Sequence, residues 1–190
     1  YVRAGYLMAI VYVMEGYDFH YENLIADGAF PYLIDTETIF NPYKEMELAK
    51  SGELNAAHMA SETAYYSVLR TGMLPNWNIR KEGTKKDISG FGGEEGTGIV
   101  KMQRWVDAGT DDIRLEQVER PVQKMGNQPF VEGEDPSSSE NYVDEISKGF
   151  SEMYAYIMHN RAAFCDIIKQ WEQVVVRFVR KPTRMYADLI

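Results

Sequence analysis

The dipeptide Asp27-Gly28 constrains the fold of this 190-residue chain more than any other feature. It stands between two apolar runs, residues 24–26 and 29–34, and an Asp-Gly pair in that setting predicts a tight β-hairpin. Because a hairpin folds the chain back on itself, Asn23 and Asp35 flank its open end. The sequence therefore predicts that these two oxygen-bearing side chains lie close together.

A long apolar segment precedes this hairpin. Residues 6–14 are apolar on all sides, which predicts a buried helix rather than an amphipathic one, and Gly16 is a plausible helix stop. The predicted order is thus a buried helix, a polar loop, a hairpin and an acidic loop.

The polar loop carries Asp18 and Asn23 at the spacing D-x-x-x-x-N, which is the spacing of the protein-kinase catalytic loop. In that loop the Asp orients or deprotonates the attacking hydroxyl and the Asn holds magnesium. Asp35 ends a predicted strand, where a second hard oxygen ligand for a magnesium–nucleotide complex belongs, and Glu37 either binds a second ion or fixes Asp35. The structural alternative is that these residues only cap and turn the chain.

Five stretches of the chain resemble the dehydratase domain of class II lanthipeptide synthetases, the LanM-type enzymes. They are DFHYENLIA at residues 18–26, PYLIDTETIF at 31–40, SVLRTGMLP at 67–75, DISG at 87–90 and RFVRKPTRMY at 177–186. The matches reach both ends of the chain and are specific only when taken together.

The resemblance implies an α+β fold, a kinase-like (lipid-kinase-like) C-lobe that is mainly helical with short hairpins. It implies ATP and Mg²⁺ as cofactors, with Asn23 and Asp35 binding them. It also implies that Ser and Thr of a precursor peptide are phosphorylated and that phosphate is then eliminated to leave a dehydroamino acid. Arg177 and Thr183 match family positions tied to elimination, and a His two residues after the Asp, here His20, recurs in lipid kinases.

A kinase also needs a lysine paired with a glutamate from an N-terminal lobe, and no such lobe fits before Asp18. Residues 1–190 are therefore expected to be a fragment of a dehydratase domain, without the N-lobe and without the family's C-terminal zinc-binding cyclase. The single cysteine, Cys165, cannot build a zinc site, so zinc belongs only to that missing domain. We expect Cys165 to pack at least partly into the core.

Composition restricts the classes of partner and compartment. A net charge of -9 argues against nucleic-acid binding, which needs a basic face. No apolar run is long enough for a membrane span, and one cysteine suits a reducing cytoplasm. The expected partner is a precursor peptide with a leader and a core rich in Ser, Thr and Cys.

Hydrophobic patterns predict the remaining elements. A helix is predicted over residues 57–69 with Gly72 as its C-cap, a hairpin from residues 99–106 and 113–118, and two further helices. Ser137 and Glu140 have the capping-box spacing before the first of these helices. Their apolar stripes, which are expected to be core, comprise Val143, Ile146, Phe150, Met153, Tyr154 and Ile157, then Phe164, Ile167, Ile168 and Trp171.

Three further features each have a structural and a functional interpretation. The glycine-rich residues 90–98 lack the lysine of a phosphate loop and carry Glu94 and Glu95, so they predict a flexible turn. The basic group Arg177, Arg180, Lys181 and Arg184 is either a solvated turn or a phosphate site. His58 and His159 have no partner at metal-ligand spacing and predict ordinary surface or capping roles.

Three functions stay open at this point: a kinase-lyase fragment that is inactive alone, a plain Ser/Thr or small-molecule phosphotransferase, and a peptide-binding module. Arg177 and Thr183 discriminate the first two, because a simple kinase has no need of an elimination pair.

Overall fold

A computed structural model describes residues 1–41, 56–75, 77–79, 85–92, 99–121, 127–129 and 139–176. The elements in chain order are α1 (Val2–Val13), β1 (Leu24–Asp27), β2 (Phe30–Leu33), α2 (Ala56–Tyr65), a 3₁₀ helix (Val68–Thr71), β3 (Trp77–Ile79), β4 (Lys85–Asp87), β5 (Ile99–Val106), β6 (Arg114–Pro121), a second 3₁₀ helix (Ser139–Tyr142), α3 (Val143–His159) and α4 (Arg161–Lys169). Ser137, Arg177, Thr183 and the other basic residues of the C-terminal group lie outside the described residues, as do residues 93–98.

Helix α1 packs against α3, but the prediction of a helix buried on all sides is only partly confirmed: Ala4, Gly5, Met8, Ala9 and Val11 are buried, and the residues between them are half-buried or exposed. The two helices approach closely where Gly5 faces Gly149, because a methyl group at Gly5 would lie 2.7 Å from the backbone nitrogen of Phe150. Ala4, Met8 and Val11 of α1 join Ile146 of α3 in the core. Small residues thus let apolar side chains on either side of the crossing interlock.

The strands of the described residues form three separate antiparallel pairs, β1–β2, β3–β4 and β5–β6. The first pair is the predicted hairpin: Leu24 pairs with Leu33 and Asp27 with Phe30, and Gly28 has the positive φ of 54° that its turn requires. The β5–β6 hairpin is confirmed as well, with Ile99 opposite Pro121 and Val106 opposite Arg114.

The predicted helix over residues 57–69 is divided. An α-helix ends at Tyr65, and a 3₁₀ turn begins after Ser67, whose side chain accepts a hydrogen bond from the backbone nitrogen of Leu69 at 3.2 Å. Gly72 closes this turn with φ 76°, so the predicted left-handed cap is confirmed.

The core predictions for the C-terminal helices are partly wrong. Ile146 and Ile157 are buried on α3, but Val143 is 58% exposed. No residue of α4 is buried, and Ile167 and Trp171 are about half exposed. Cys165 is exposed too, against our expectation, because among the described elements α4 packs only against the end of α3.

No helix of the described residues is both long and apolar enough to cross a membrane. The described residues form helices and short hairpins, as the sequence predicts; that they belong to a kinase-like lobe stays a prediction.

Candidate functional site

The loop that follows α1 holds Asp18 in a conformation that few residues adopt. Its φ is +68°, in the left-handed region, which aspartate tolerates better than most non-glycine residues. The Asp18 side chain is exposed, whereas Phe19 beside it is fully buried. The buried ring anchors the backbone, and Asp18 beside it is exposed in a strained conformation. Strain of this kind is more frequent at functional sites than elsewhere.

Two other segments hold this loop through backbone hydrogen bonds. Phe19 donates from its backbone nitrogen to the carbonyl of Thr71 at 2.8 Å, and Tyr21 donates to Ile88 at 3.1 Å. His20 forms an isolated antiparallel bridge with Ser89. The loop therefore lies between the 3₁₀ turn and the end of β4, so its position depends on residues distant in sequence.

Asn23 closes the loop on itself. Its Nδ2 donates to the carbonyl oxygen of Asp18 at 2.9 Å, which ties the two ends of the D-x-x-x-x-N motif together. With the amide nitrogen engaged, the oxygen Oδ1 is the atom left to act as a ligand, and no hydrogen bond to another described residue occupies it. A hard amide oxygen beside an exposed carboxylate suits magnesium.

Asp35 is placed next to Asn23 by the hairpin. Ile34, the residue before it, donates from its backbone nitrogen to the carbonyl of Asn23 at 3.1 Å. Oδ1 of Asp35 accepts the backbone N–H of Glu37 at 3.0 Å, which is an Asx turn that leaves Oδ2 exposed. The predicted approach of Asn23 and Asp35 is therefore present in the backbone pairing.

The segment after Asp35 is tied back to the end of α1. The hydroxyl of Thr38 donates to the carbonyl of Tyr17, and the backbone nitrogen of Phe40 donates to Met14 at 2.8 Å. Glu37 is exposed, and the structure gives it the role of donating its N–H to Asp35. This bond comes from the backbone, so whether the Glu37 carboxylate binds a second ion or fixes Asp35 stays a prediction.

His20 makes its contacts within the loop. Its Nδ1 accepts the backbone N–H of Glu22 at 3.2 Å and lies 3.8 Å from the Glu22 carboxylate. Its Nε2 lies 3.5 Å from Nδ2 of Asn23, and whether it donates or accepts there depends on the tautomer of the ring. Partial burial, reinforced by a hydrogen bond to Glu22, raises the pKa of the neighbouring Tyr21, so its hydroxyl stays protonated.

One face of the β1–β2 hairpin is apolar and exposed, and it leads directly to Asn23. Alternation along the paired strands puts every second residue on this face. We call it the apolar face, and it comprises Ile25 (46% exposed), Phe30 (52%), Tyr32 (51%) and Ile34 (58%). Asp27, which pairs with Phe30, lies on this face as well, and the Arg3 guanidinium is 4.2 Å from the centre of the Phe30 ring.

Two buried residues near the loop were not given a role from sequence. Thr71 is fully buried. Its carbonyl oxygen accepts the backbone N–H of Phe19, and its hydroxyl oxygen accepts the backbone N–H of Met73 at 3.2 Å. Asp87 is 2% exposed and accepts the backbone N–H of Ser89 at 3.0 Å, which shapes the segment that bridges to His20. Both lie in stretches that carry the resemblance, which was the available signal.

The structure brings together Asp18, His20, Asn23 and Asp35, and the backbone N–H of Glu37 donates to Asp35. It does not describe Arg177 or Thr183, so the elimination pair stays a prediction. Within the described residues, no group of three or more His, Cys, Asp or Glu side chains is arranged to hold a metal. A magnesium ion on Asn23 and Asp35 would therefore have to complete its octahedral shell from phosphate and water.

Comparison with known proteins gives a family and a relative. The model of the family described as domain of unknown function DUF4135 matches residues 1–190. The lacticin 481/lactococcin biosynthesis protein LcnDR2 of Lactococcus lactis subsp. lactis is 28% identical over the whole chain, which spans 20% of that relative's length. The resemblance noted from sequence is confirmed by these matches. No solved structure matches the chain.

Proposed function

This chain belongs to the DUF4135 family, and on that premise we propose that it serves lanthipeptide biosynthesis as the kinase-like C-lobe of a peptide dehydratase. In this proposal the full-length protein phosphorylates Ser and Thr of a precursor peptide with ATP and then eliminates phosphate. The support from the relatives is its similarity to a lacticin 481 biosynthesis protein.

The observation that carries the proposal is the junction of the D-x-x-x-x-N loop with the hairpin. Asn23 closes the loop through Asp18, and the hydrogen bond from Ile34 to Asn23 brings Asp35 alongside. Acidic and amide oxygens at adjoining chain positions are what a nucleotide-bound magnesium requires. A plain turn needs no such convergence beside an exposed apolar face.

Each residue then has one task. Asn23 and Asp35 would hold the magnesium that neutralises phosphate charge, and the apolar face would support the adenine ring. Asp18, exposed and fixed by its strained backbone, orients the hydroxyl of the peptide Ser or Thr and accepts its proton. His20 holds the loop by accepting the backbone N–H of Glu22 at Nδ1.

Elimination is assigned to Arg177 and Thr183 through the resemblance. When the Cα proton leaves and the Cβ–O bond breaks, charge builds on the departing phosphate. A guanidinium with paired N–H donors stabilises that charge, and a hydroxyl adds one donor.

Mass spectrometry of the precursor peptide tests both steps in the full-length protein. Asp18→Asn should keep ATP binding and lower phosphorylation by roughly 10²–10⁴-fold, the usual contribution of a positioned base. Arg177→Ala should phosphorylate normally and then stall, so phosphopeptide accumulates in place of dehydrated peptide.

The outcomes separate the alternatives. If Asp18→Asn turns over at the parent rate, Asp18 is not the base and the kinase assignment fails. If Arg177→Ala still yields dehydrated peptide without phosphopeptide, the lyase step does not use Arg177. An unmodified protein that stops at phosphopeptide would be a plain phosphotransferase.

A further inference from the structure

A pocket of about 290 Å³ lies along the β1–β2 hairpin, and Ile25 and Phe30 of the apolar face contribute to its lining. Leu24 and Ala26 of β1 form part of one wall, and Asn127 and Gln128 form part of another. This volume is at the lower end of the range for ligand pockets, about 300–1,000 Å³. It suits one side chain and its neighbouring peptide groups.

Asn127 and Gln128 in the wall of this pocket are polar residues that are buried. They are 9% and 7% exposed, respectively. Asn127 uses its Nδ2 to donate to the carbonyl of Gly90 at 2.6 Å, but its Oδ1 and the Oε1 of Gln128 have no hydrogen-bond partner among the described residues. Buried acceptors without partners cost free energy, so a ligand that supplies N–H donors is favoured here.

The strand that lines this pocket has a free edge. The backbone nitrogen of Ile34 donates to the carbonyl of Asn23, which makes this pair a hydrogen-bonded one. Hydrogen-bonded pairs alternate along an antiparallel ladder, so the backbone N–H and C=O of Ile25 and Asp27 point toward β2. The N–H and C=O of Leu24 and Ala26 therefore point away from β2, and they make no backbone hydrogen bond to another described residue. Leu24 is buried in the core and Ala26 is half-buried, so Ala26 is the open position of this edge.

The opposite edge of the hairpin is blocked. β2 carries Pro31 opposite Ala26, so its outer edge lacks an N–H at that position. Proline on an outer edge prevents a further strand from pairing there. β1 carries no proline, and this asymmetry leaves its edge as the one that accepts an added strand.

We propose that the pocket binds an extended segment of the precursor peptide, which pairs with the free edge of β1 as a third strand. The peptide would exchange backbone hydrogen bonds with Ala26, and its remaining N–H groups would donate to the amide oxygens of Asn127 and Gln128. Only a polypeptide repeats donors and acceptors at the spacing of a strand edge. The identity of the peptide as the precursor rests on the proposed function.

Such a peptide would lie beside the phosphoryl-transfer loop, because β1 begins directly after Asn23. Strand pairing uses hydrogen bonds to the peptide backbone rather than contacts with its side chains. The same edge therefore binds peptide segments whose side chains differ from one position to the next.

The test measures affinity of the full-length protein for a fluorescently labelled precursor peptide, without ATP. Gln128→Met keeps the volume and removes the acceptor, and should weaken binding by about two- to tenfold, the value of one hydrogen bond. Ala26→Pro removes an N–H only from the free edge, and should weaken binding by about tenfold or more because it also obstructs the incoming strand. Gln117→Met, on the exposed strand β6, is the matched control and should bind like the parent.

Parent-like affinity in both Gln128→Met and Ala26→Pro would overturn the proposal. Should Ala26→Pro fail to fold, hydrogen exchange of the unmodified protein decides: residues 24–27 should exchange more slowly with peptide bound, and unchanged exchange would overturn it. A protein that binds the peptide through this edge but never phosphorylates it would contradict the proposed function and leave this site standing.

Discussion

The β1–β2 and β5–β6 hairpins differ in how the rest of the molecule holds them. The first has four paired positions, but Leu24 is buried in the core and β2 packs against α1. The second has eight paired positions, yet no other described helix or strand packs against it and nearly all of β6 is exposed. The shorter hairpin carries the candidate site, so the length of a hairpin does not indicate where chemistry is placed.

The two hairpins differ in the interactions that hold their side chains in place. On β5–β6, Arg114 pairs with Asp107 and with Glu116 at 2.7 Å, and Lys101 pairs with Glu119 at 3.5 Å. These are exposed ion pairs of a kind that contributes little stability. At the first hairpin, the neighbouring loop is instead held by buried Phe19 and by backbone bonds to two distant segments. A site needs the second kind of support, because reacting groups must be held within a fraction of an ångström.

The largest expected difference between the hairpins is catalytic. Asp35→Ala should lower peptide phosphorylation by roughly 10²–10³-fold or more, since a magnesium-bound nucleotide loses a charged ligand. Asp107→Ala removes an equivalent carboxylate beside the other hairpin and should leave the rate unchanged. Both rates are measured by mass spectrometry with the full-length protein. Equal rates in the two variants would remove the functional distinction between the hairpins.

Substitutions should also change the free energy of unfolding more at the α1–α3 crossing than in the β5–β6 hairpin. Gly5→Ala puts a methyl group against the backbone of α3, where neither partner is a flexible side chain, and should destabilise by roughly 3 kcal/mol or more. Gly109→Ala, in the β5–β6 turn, meets no atom within 4 Å and only strains a φ of 91°, so about 1 kcal/mol is expected. Thermal unfolding of the full-length protein reports both, and a larger shift for Gly109→Ala would show that the α1–α3 crossing is misassigned.

A smaller difference is expected between two apolar side chains that are equally exposed. Ile25 of the apolar face and Leu115 of β6 are 46% and 45% exposed. Ile25→Ser should raise the KM for ATP about five- to tenfold, because apolar contact with the base is lost. Leu115→Ser should leave it unchanged. An unchanged KM in Ile25→Ser would show that the nucleotide does not lie on the apolar face.

Much of the site was predictable because it depends on local chemistry. The Asp-Gly turn fixes the register of β1–β2, and that register brings Asp35 beside Asn23. The left-handed cap at Gly72 and the β5–β6 hairpin follow from turn residues and alternation in the same way. Residue spacing also located Asp18 and His20 in one loop, although the role of each remains a proposal.

Other features depended on contacts that no local pattern encodes. The stripe on α4 has helical spacing, but Ile167 is exposed, and Trp171, which follows α4, stays about half exposed although its ring meets that of Phe40 edge-on. Cys165 is exposed as well. Periodicity shows which face of a helix is apolar and does not show whether anything packs there.

The sequence by itself determined helix α1, the β1–β2 and β5–β6 hairpins, the turn chemistry and the identity of the loop's polar residues, since each depends on neighbours within a few positions. Tertiary structure alone decided that Thr71 and Ile88 hold the loop, that Asp87 is buried behind it, and that Asn127 reaches Gly90. These contacts join segments far apart in the chain. They form only when burial of the common core compensates for the entropy lost on bringing those segments together.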